Sequence, residues 1–543
     1  MKKSTTLRIV VGIMALMLLL TSCGGGSGGA ATTAAPTAAA ATEAATTAAA
    51  ATTAATEAAK EAPYEFSIAV QRGHLEPDSK VQKYFEEKYN VKFDLIILPS
   101  SDTQAKVNLL MADDSQRPDV IWYQTGWTKD YAAWRDAKLL VDVSEYYWKY
   151  PYIRGYYEKV SPDSLFFAAE PDGSLYNIPG DVGEPGHMIM MMRKDWMDKL
   201  GIDVPKNLDE YADAIRKFTF DDPNGDGKDD TFGLAGAGLE LRSLKTFWSA
   251  FNCIPDNFIK QDDGSVIYGA TQPEMKDALA YIQQLYNEGC IEPSILTSNN
   301  FDEIFVNGMF GSTYRWIAYF NPEGSTIKSW KANYPNGEII GVEPFPNGHG
   351  TESDNSISPQ AWCAFAITNK AKDPERIYKV FDDLTAPDDY LIRKNGWEGE
   401  DYTYENGLFK LITTSDDNAA KNIGLNLFDT FVNRKDELNI SNTPEVVKMF
   451  ERGTELVQND LNRICYVKTA DRPVWNEYRT ELERIRDEYL WGIIGGQRSV
   501  DEFDDFVELF RKSGGKEAEE ETAKLMEQQT TDYTNWKASF KAK

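Results

Sequence analysis

Oxygen donors gather most densely in Asp222-Pro223-Asn224-Gly225-Asp226-Gly227-Lys228-Asp229-Asp230. Side chains that carry oxygen stand at the first, third, fifth and ninth places of this run (Asp222, Asn224, Asp226, Asp230), and Lys228 can offer its carbonyl at the seventh. A hard cation such as Ca²⁺ takes roughly six to eight oxygens, and acids alternating around a glycine turn aim them inward. Gly227 sits at the sixth place, where the sharp turn falls. A complete EF-hand loop carries Glu at the twelfth place, which here is Gly233. The spacing therefore predicts a structural Ca²⁺ loop of incomplete EF-hand type; the competing reading is an acidic turn that follows a helix. Catalytic patterns are weaker. With Asp+Glu at 85, a carboxylate pair for glycoside hydrolysis can always be drawn, but none stands in a recognisable signature. H-E-x-x-H, C-x-x-C and the Walker A pattern are absent. Gly25–Gly29 matches G-x-S-x-G and Gly24–Gly29 matches G-x-G-x-x-G, but neither follows a strand or opens a helix, so both are accidents of composition.

The elements that must carry any site alternate. Phe66–Val70 is a short apolar strand; Val81, Tyr84, Phe85 and Tyr89 recur at helical spacing; Val91–Leu98 is β-rich and stops at Pro99. Ser101-Asp102-Thr103-Gln104 predicts a capping box for a helix through Leu110 and Met111, and Asp119–Tyr123 is a further strand. This β-α-β-α-β order predicts a parallel sheet wrapped by helices. Ligands bind beyond the carboxyl ends of such strands, which points at Gln71–His74 and Gln124–Trp127. Later helices are marked by Asn207 before a run to Phe218, by Thr271-Gln272-Pro273-Glu274 as a capping box for a helix closed at Gly289, by Trp475–Trp491, and by Ser499-Val500-Asp501-Glu502 as a cap. Trp196, Trp248 and Trp491 fall on helical patterns and are expected in the core, and Glu517–Glu521 reads as a solvated face.

A chain of 543 residues with 42% hydrophobic residues supports two or more lobes. A net charge of −28 argues against nucleic acid as a partner. Lys2, Lys3 and Arg8 precede an apolar run, Ile9–Leu20, that is too short to span a bilayer and fits a secretory signal. It ends in Leu20-Thr21-Ser22-Cys23, which resembles the lipobox of bacterial lipoproteins. That resemblance implies cleavage before Cys23 and lipidation of its thiol, on the outer face of the cell membrane. Residues 24–62 are Gly-, Ala- and Thr-rich with no large apolar side chain, a spacer with an average reach of roughly 35 Å as a flexible coil. Cys253, Cys290, Cys363 and Cys465 would remain. Three full pairings are open to them, none is expected to form, and Cys363 reads as a buried thiol.

Arg193–Gly201, Asp222–Asp230, Tyr268–Pro273, Gly396–Gly399 with Tyr402-Thr403, and Gly495–Phe506 together resemble the extracellular solute-binding proteins of ABC importers. The likeness is to the family-1 sugar binders and, among them, the LplA-type lipoproteins. It covers essentially all of the chain from Pro63. It implies an α/β, two-lobed periplasmic-binding-protein-like fold of type II, with the ligand cleft between the lobes. The expected domains are a signal peptide (1–22), a lipid-anchored linker (23–62), lobe 1 (63–178 and about 357–430) and lobe 2 (179–356 and about 431–543). The implied function is capture of a carbohydrate, an oligosaccharide above all, by lobe closure, without turnover. The implied partners are permease subunits with a separate ATPase, and the protein itself would be a monomer. Relatives carry a similar Ca²⁺ loop whose last ligand comes sooner, whereas Thr231 holds the place after Asp230 here. Sugar sites combine aromatic platforms with planar polar groups. On this basis the expected ligand contacts are Arg72 and Tyr123 at strand exits, Trp127 after the third strand, Asp181 at the first interlobe crossover, Trp316 where similar sugar binders place a stacking ring, and Trp397 with Glu398 in a glycine-flanked turn. Rival readings are a lipid-anchored enzyme acting on polysaccharide, a binder of peptides or another solute on the same fold, and a surface adhesin.

Overall fold

The computed structural model of the chain describes residues 61–71, 78–99, 102–160, 162–180, 188–297, 299–316, 319, 325–342, 345, 361–405, 408–412, 463–468 and 472–540. Its strands, in chain order, are β1 (Tyr64–Gln71), β2 (Val91–Leu98), β3 (Val120–Gln124), β4 (Ile178–Pro179), β5 (Met188–Arg193), β6 (Phe232–Leu234), β7 (Phe258–Lys260), β8 (Val266–Tyr268), β9 (Phe310–Trp316), β10 (Ile339–Val342), β11 (Cys363–Ile367), β12 (Tyr402–Glu405) and β13 (Leu408–Leu411).

Five of these make the first sheet, in the order β2-β1-β3-β11-β4. The predicted β-α-β unit is present: β1 runs parallel to β2 from Tyr64 opposite Val91 to Gln71 opposite Leu98, and parallel to β3 with Ile68 opposite Val120. A parallel pair needs a crossover, and Lys80–Tyr89 supplies it. Ser79 caps this helix through the Gln82 N–H, Val81 and Phe85 turn into the core, and Asn90 closes it in the left-handed region. Asp119 locks the start of β3 to β1, its carboxylate accepting from the Ser67 N–H at 2.7 Å and the Ser67 hydroxyl at 2.8 Å. The chain then returns after a long excursion. β11 pairs antiparallel with β3, and with β4 beyond it, so the sheet is mixed.

The second sheet has the order β10-β5-β9-β6. β5, with the sequence MIMMMR, is buried along its whole length, as a central strand covered on both faces must be. Leu208–Phe220 packs beneath this sheet so closely that a Cβ at Gly311 of β9 would stand 2.0 Å from the Phe218 ring. β7–β8 and β12–β13 are separate antiparallel pairs.

Each sheet has its own apolar core. One gathers Phe66 to Ile178 with Ala361 to Leu384, and the other gathers Met188 to Phe345 with Cys465 to Ala518. The molecule is thus a two-lobed α/β protein, and the chain leaves the first sheet at β4 and enters the second at β5. Trp196, Trp248 and Trp491 are core residues, and the thiols of Cys253, Cys290, Cys363 and Cys465 are free and buried. The helix Lys516–Phe540 serves both cores: Ala518 and Met526 pack on the second, Trp536 on the first.

The caps read from four residues alone had mixed outcomes, and Ser101 of the first lies outside the described residues. The helix Thr103–Ala112 begins behind Asp102, which lies in the left-handed region and caps nothing; Gln104 donates instead to Asp130 at 2.6 Å. Thr271 is not an N-cap. Its hydroxyl donates to the Tyr268 carbonyl, Gln272 accepts from the Ile254 N–H, and Glu274–Asn287 starts from Pro273 with no side-chain cap. Both segments have better partners across the fold. The Ser499–Glu502 capping box does form. Glu517–Glu521 is not uniformly solvated. Glu519 is buried and accepts from the Tyr268 N–H at 2.9 Å, while Glu521 accepts from the N–H groups of Val474 and Trp475 at 2.8 and 2.9 Å and so caps the helix Pro473–Ile494.

Candidate functional site

β3 ends at Gln124, and its exit is tied down within three residues. The Thr125 N–H donates to the Trp362 carbonyl at 3.1 Å, the Thr125 hydroxyl to the Ala361 carbonyl at 2.5 Å, and the Trp127 N–H turns back to Gln124 at 2.9 Å. The helix Thr128–Asp136 starts there. Because strand side chains alternate, Trp122 and Tyr123 face opposite sides of the sheet.

On the Tyr123 side lies a cavity of about 40 Å³. The Tyr123 ring stacks on Tyr131 with centroids 5.6 Å apart and meets Trp134 edge-on. The Tyr131 hydroxyl donates to Glu170 at 3.0 Å, Asn177 donates to that hydroxyl at 3.4 Å, and Arg135 pairs with Glu170 at 2.6 Å. Burial pushes both phenols well above their ordinary range, so they remain neutral donors. The first core supplies these groups. Lys468 comes from the segment that pairs with the second lobe, where the Cys465 N–H donates to Phe258 of β7. Its ammonium stands 4.8 Å over the Phe166 ring, and burial pushes its pKa down to about 8. The pocket therefore lies where the lobes meet, at the carboxyl end of β3. At this volume it holds a water or two; a larger guest enters a more open form, and closure then narrows that form around it.

On the opposite side, Trp122 is buried, with Trp127 and Trp362 edge-on to it at 5.9 and 5.8 Å. Trp362 is 40% exposed, an apolar plate directly before β11. Of the residues expected at the ligand, then, Tyr123 and Trp127 share the β3 exit. Trp316 ends β9 opposite Met188, where the chain enters the second sheet, and carries the Arg242 guanidinium 5.4 Å from its ring centroid. Trp397 packs on the first lobe, with Tyr84 edge-on at 5.4 Å and the Lys80 ammonium 4.1 Å over its ring, and Glu398 beside it is exposed. Arg72, Asp181 and Cys23 lie outside the described residues. Sequence reading missed Tyr131, Glu170, Asn177, Trp362 and Lys468. Tyr131 and Arg135 are four apart on one helix, a usable signal; Lys468 carries none.

The Asp222 loop is folded around its first acid. Asp222 accepts from the N–H groups of Gly225 (2.8 Å), Asp226 (3.1 Å) and Gly227 (3.1 Å). Gly225 and Gly227 both have positive φ, which glycine adopts without strain. Lys228 pairs with Asp226 at 2.7 Å, and Lys199 donates to the Asp222 and Pro223 carbonyls at 3.0 and 2.9 Å. Among the described residues no cluster of three acids, His or Cys stands at metal-holding distance. The donor set nevertheless fits a hard cation, since Asp222, Asn224, Asp226 and Asp230 bring only oxygen and the turn already curls around the first of them.

Comparison with known proteins agrees with this architecture. The family described as bacterial extracellular solute-binding protein matches residues 80–377. Lipoprotein LipO of Bacillus subtilis is 24% identical over 460 residues, 81% of this chain and 87% of that protein. The polygalacturonan/rhamnogalacturonan-binding protein YtcQ of the same organism is 24% identical over 83% of this chain and 89% of its own length. The fructooligosaccharide ABC transporter substrate-binding protein FusA of Streptococcus pneumoniae is 23% identical over 71% and 80%. Among solved structures, the alginate-binding protein AlgQ2 without calcium ion superposes with a TM-score of 0.65 at 20% identity, covering 86% of this chain and 98% of that one. YtcQ, FusA and AlgQ2 are binding proteins by name. With two α/β lobes, a pocket where they meet and a family match over more than half its length, the chain belongs to the bacterial extracellular solute-binding proteins.

Proposed function

We propose that the protein captures an oligosaccharide between its lobes and hands it, chemically unchanged, to the permease of an ABC importer. One observation carries this reading: hydrogen-bonding groups of the first lobe and Lys468 of the second converge on one pocket at the carboxyl end of β3. A guest that touches both lobes binds the closed form better and shifts the population toward it. Aromatic plates flank the same strand exit at Trp127 and Trp362, as the C–H faces of a sugar require. The sugar ligands in the names of YtcQ and FusA support a carbohydrate guest.

Binding is favoured over hydrolysis by the charges in the pocket. Glycoside cleavage needs two carboxylates; among the described lining residues Glu170 is the one acid, and Arg135 and Tyr131 hold it. The likeness to lipoprotein LipO supports lipidation at Cys23 and a tether through residues 24–62 on the outer face of the cell membrane. Ca²⁺ in the Asp222–Asp230 loop would be structural, drawing Asp226 away from Lys228.

A thermal-shift screen tests both assignments. A saccharide at 100 times its Kd adds about 2.7 kcal/mol, a shift of several degrees. Millimolar Ca²⁺ is expected to raise Tm in the wild type and not in D226A. A panel of mono- and oligosaccharides without any shift contradicts the carbohydrate reading; a Ca²⁺ shift that survives in D226A contradicts the loop assignment.

A further inference from the structure

The two charges in the pocket are matched unequally. Glu170 has a full complement, with Arg135 on one oxygen at 2.6 Å and the Tyr131 hydroxyl on the other at 3.0 Å. Lys468 forms no ion pair among the described residues, and its ammonium faces the Phe166 ring and the cavity. The backbone beneath it is fixed: the Lys468 N–H donates to Gln529 at 2.6 Å, and Gln529 in turn donates to the Tyr466 carbonyl at 2.7 Å. A clamped backbone holds the side chain at the pocket. The charged groups that face it are Glu170 and Asp172 from the segment before β4, and Asp532 on Lys516–Phe540. All three favour its charged form, but burial outweighs them. Tyr123, Tyr131 and Arg135 complete the surroundings, and none of them changes charge between neutral pH and pH 9.

We propose that Lys468 recognises a carboxylate on the guest, so that the substrate class is an acidic oligosaccharide containing uronic acid residues. The assignment rests on the carbohydrate-binding reading above and adds the charge of the sugar. Folding has already stripped much of the water from this ammonium. A carboxylate that reaches it gains a charge-assisted hydrogen bond, roughly twice as strong as one to a neutral hydroxyl. The ammonium arrives from the second lobe's segment while its partners in the pocket belong to the first. A carboxylate seated there ties the lobes together.

The test is calorimetric titration of the full chain with trigalacturonate and a mannuronate trimer, the methyl ester of each, and neutral kestose. At pH 7 at least one acid is expected to bind about 10-fold or more tightly than its ester. K468Q and K468M should lose that preference, and K468R should keep part of it. In the wild type the preference should fade as the pH is raised from 7 to about 10, where the ammonium is neutral. K468M should also melt at a higher temperature than wild type, because it removes a half-buried ammonium whose desolvation outweighs the pull of Glu170, Asp172 and Asp532. Equal affinity for acid and ester, or kestose bound in preference, overturns the charge assignment and leaves carbohydrate binding standing. A K468M variant that melts lower and still discriminates acid from ester makes Lys468 a structural residue and overturns it too. A folded wild-type chain that binds no saccharide overturns both readings.

Discussion

Trp122 and Tyr123 are adjacent in sequence and serve opposite faces of the first sheet, one in an aromatic cluster and the other in a polar pocket. That division follows from strand periodicity alone. It explains why the strand-exit rule reached Tyr123 and Trp127 from sequence. Trp362 escaped because its importance comes from β11 lying beside β3, a pairing across more than 230 residues. Glu170, Asn177 and Lys468 escaped for the same reason. The two tryptophans at issue should separate in experiment. W362A removes a plate that is 40% exposed, so stability should change by about 1 kcal/mol or less while saccharide affinity falls about 10-fold. W397A strips contacts to Tyr84 and Lys80, and should cost about 2 kcal/mol in urea unfolding. Calorimetry beside denaturation checks both; a W362A variant that binds sugar at wild-type strength removes Trp362 from the site.

Helices and strands were legible as elements, and so were some ends, such as Val91–Leu98 and the Asn207 and Ser499 caps, while others were not. The period of Val81, Phe85 and Tyr89 located Lys80–Tyr89, whereas the Thr271 box was displaced by tertiary partners and Ser101 lies outside the described residues. Acidic runs are the clearest case, because charge in a sequence cannot tell a solvated face from a cap. Glu521 caps Pro473–Ile494, and E521A should destabilise the fold by about 1–2 kcal/mol. Burial holds the Glu519 carboxyl above its ordinary range, with the Tyr268 N–H and Arg511 pulling the other way. A group raised in the folded state contributes most when protonated, and that contribution is lost as the pH rises through its folded value. The melting temperature of E519Q, whose amide oxygen can still accept from Tyr268, should therefore gain on wild type between about pH 4 and pH 7. A gap that closes over that range would contradict the assignment.

At the scale of the molecule, alternation of strand and helix in the first sixty described residues already gave an α/β sheet, and the family likeness gave the second lobe. What neither gave is how the lobes are joined. The helix Lys516–Phe540 begins in the second core and ends with Trp536 on the first, where Tyr533 and Trp536 meet the Phe166 ring, beside the segment that carries Lys468. One 25-residue helix thus touches both cores and, through Gln529, holds the backbone of Lys468, so a guest that draws the lobes together acts on a contact already present. Small-angle scattering of the full chain, titrated with the tightest saccharide of the thermal screen and followed by mass analysis of the recovered guest, tests reversible capture most directly. The account predicts a smaller radius of gyration at saturation and a saccharide of unchanged mass. An unchanged radius at saturation, or a guest recovered as fragments, would contradict it.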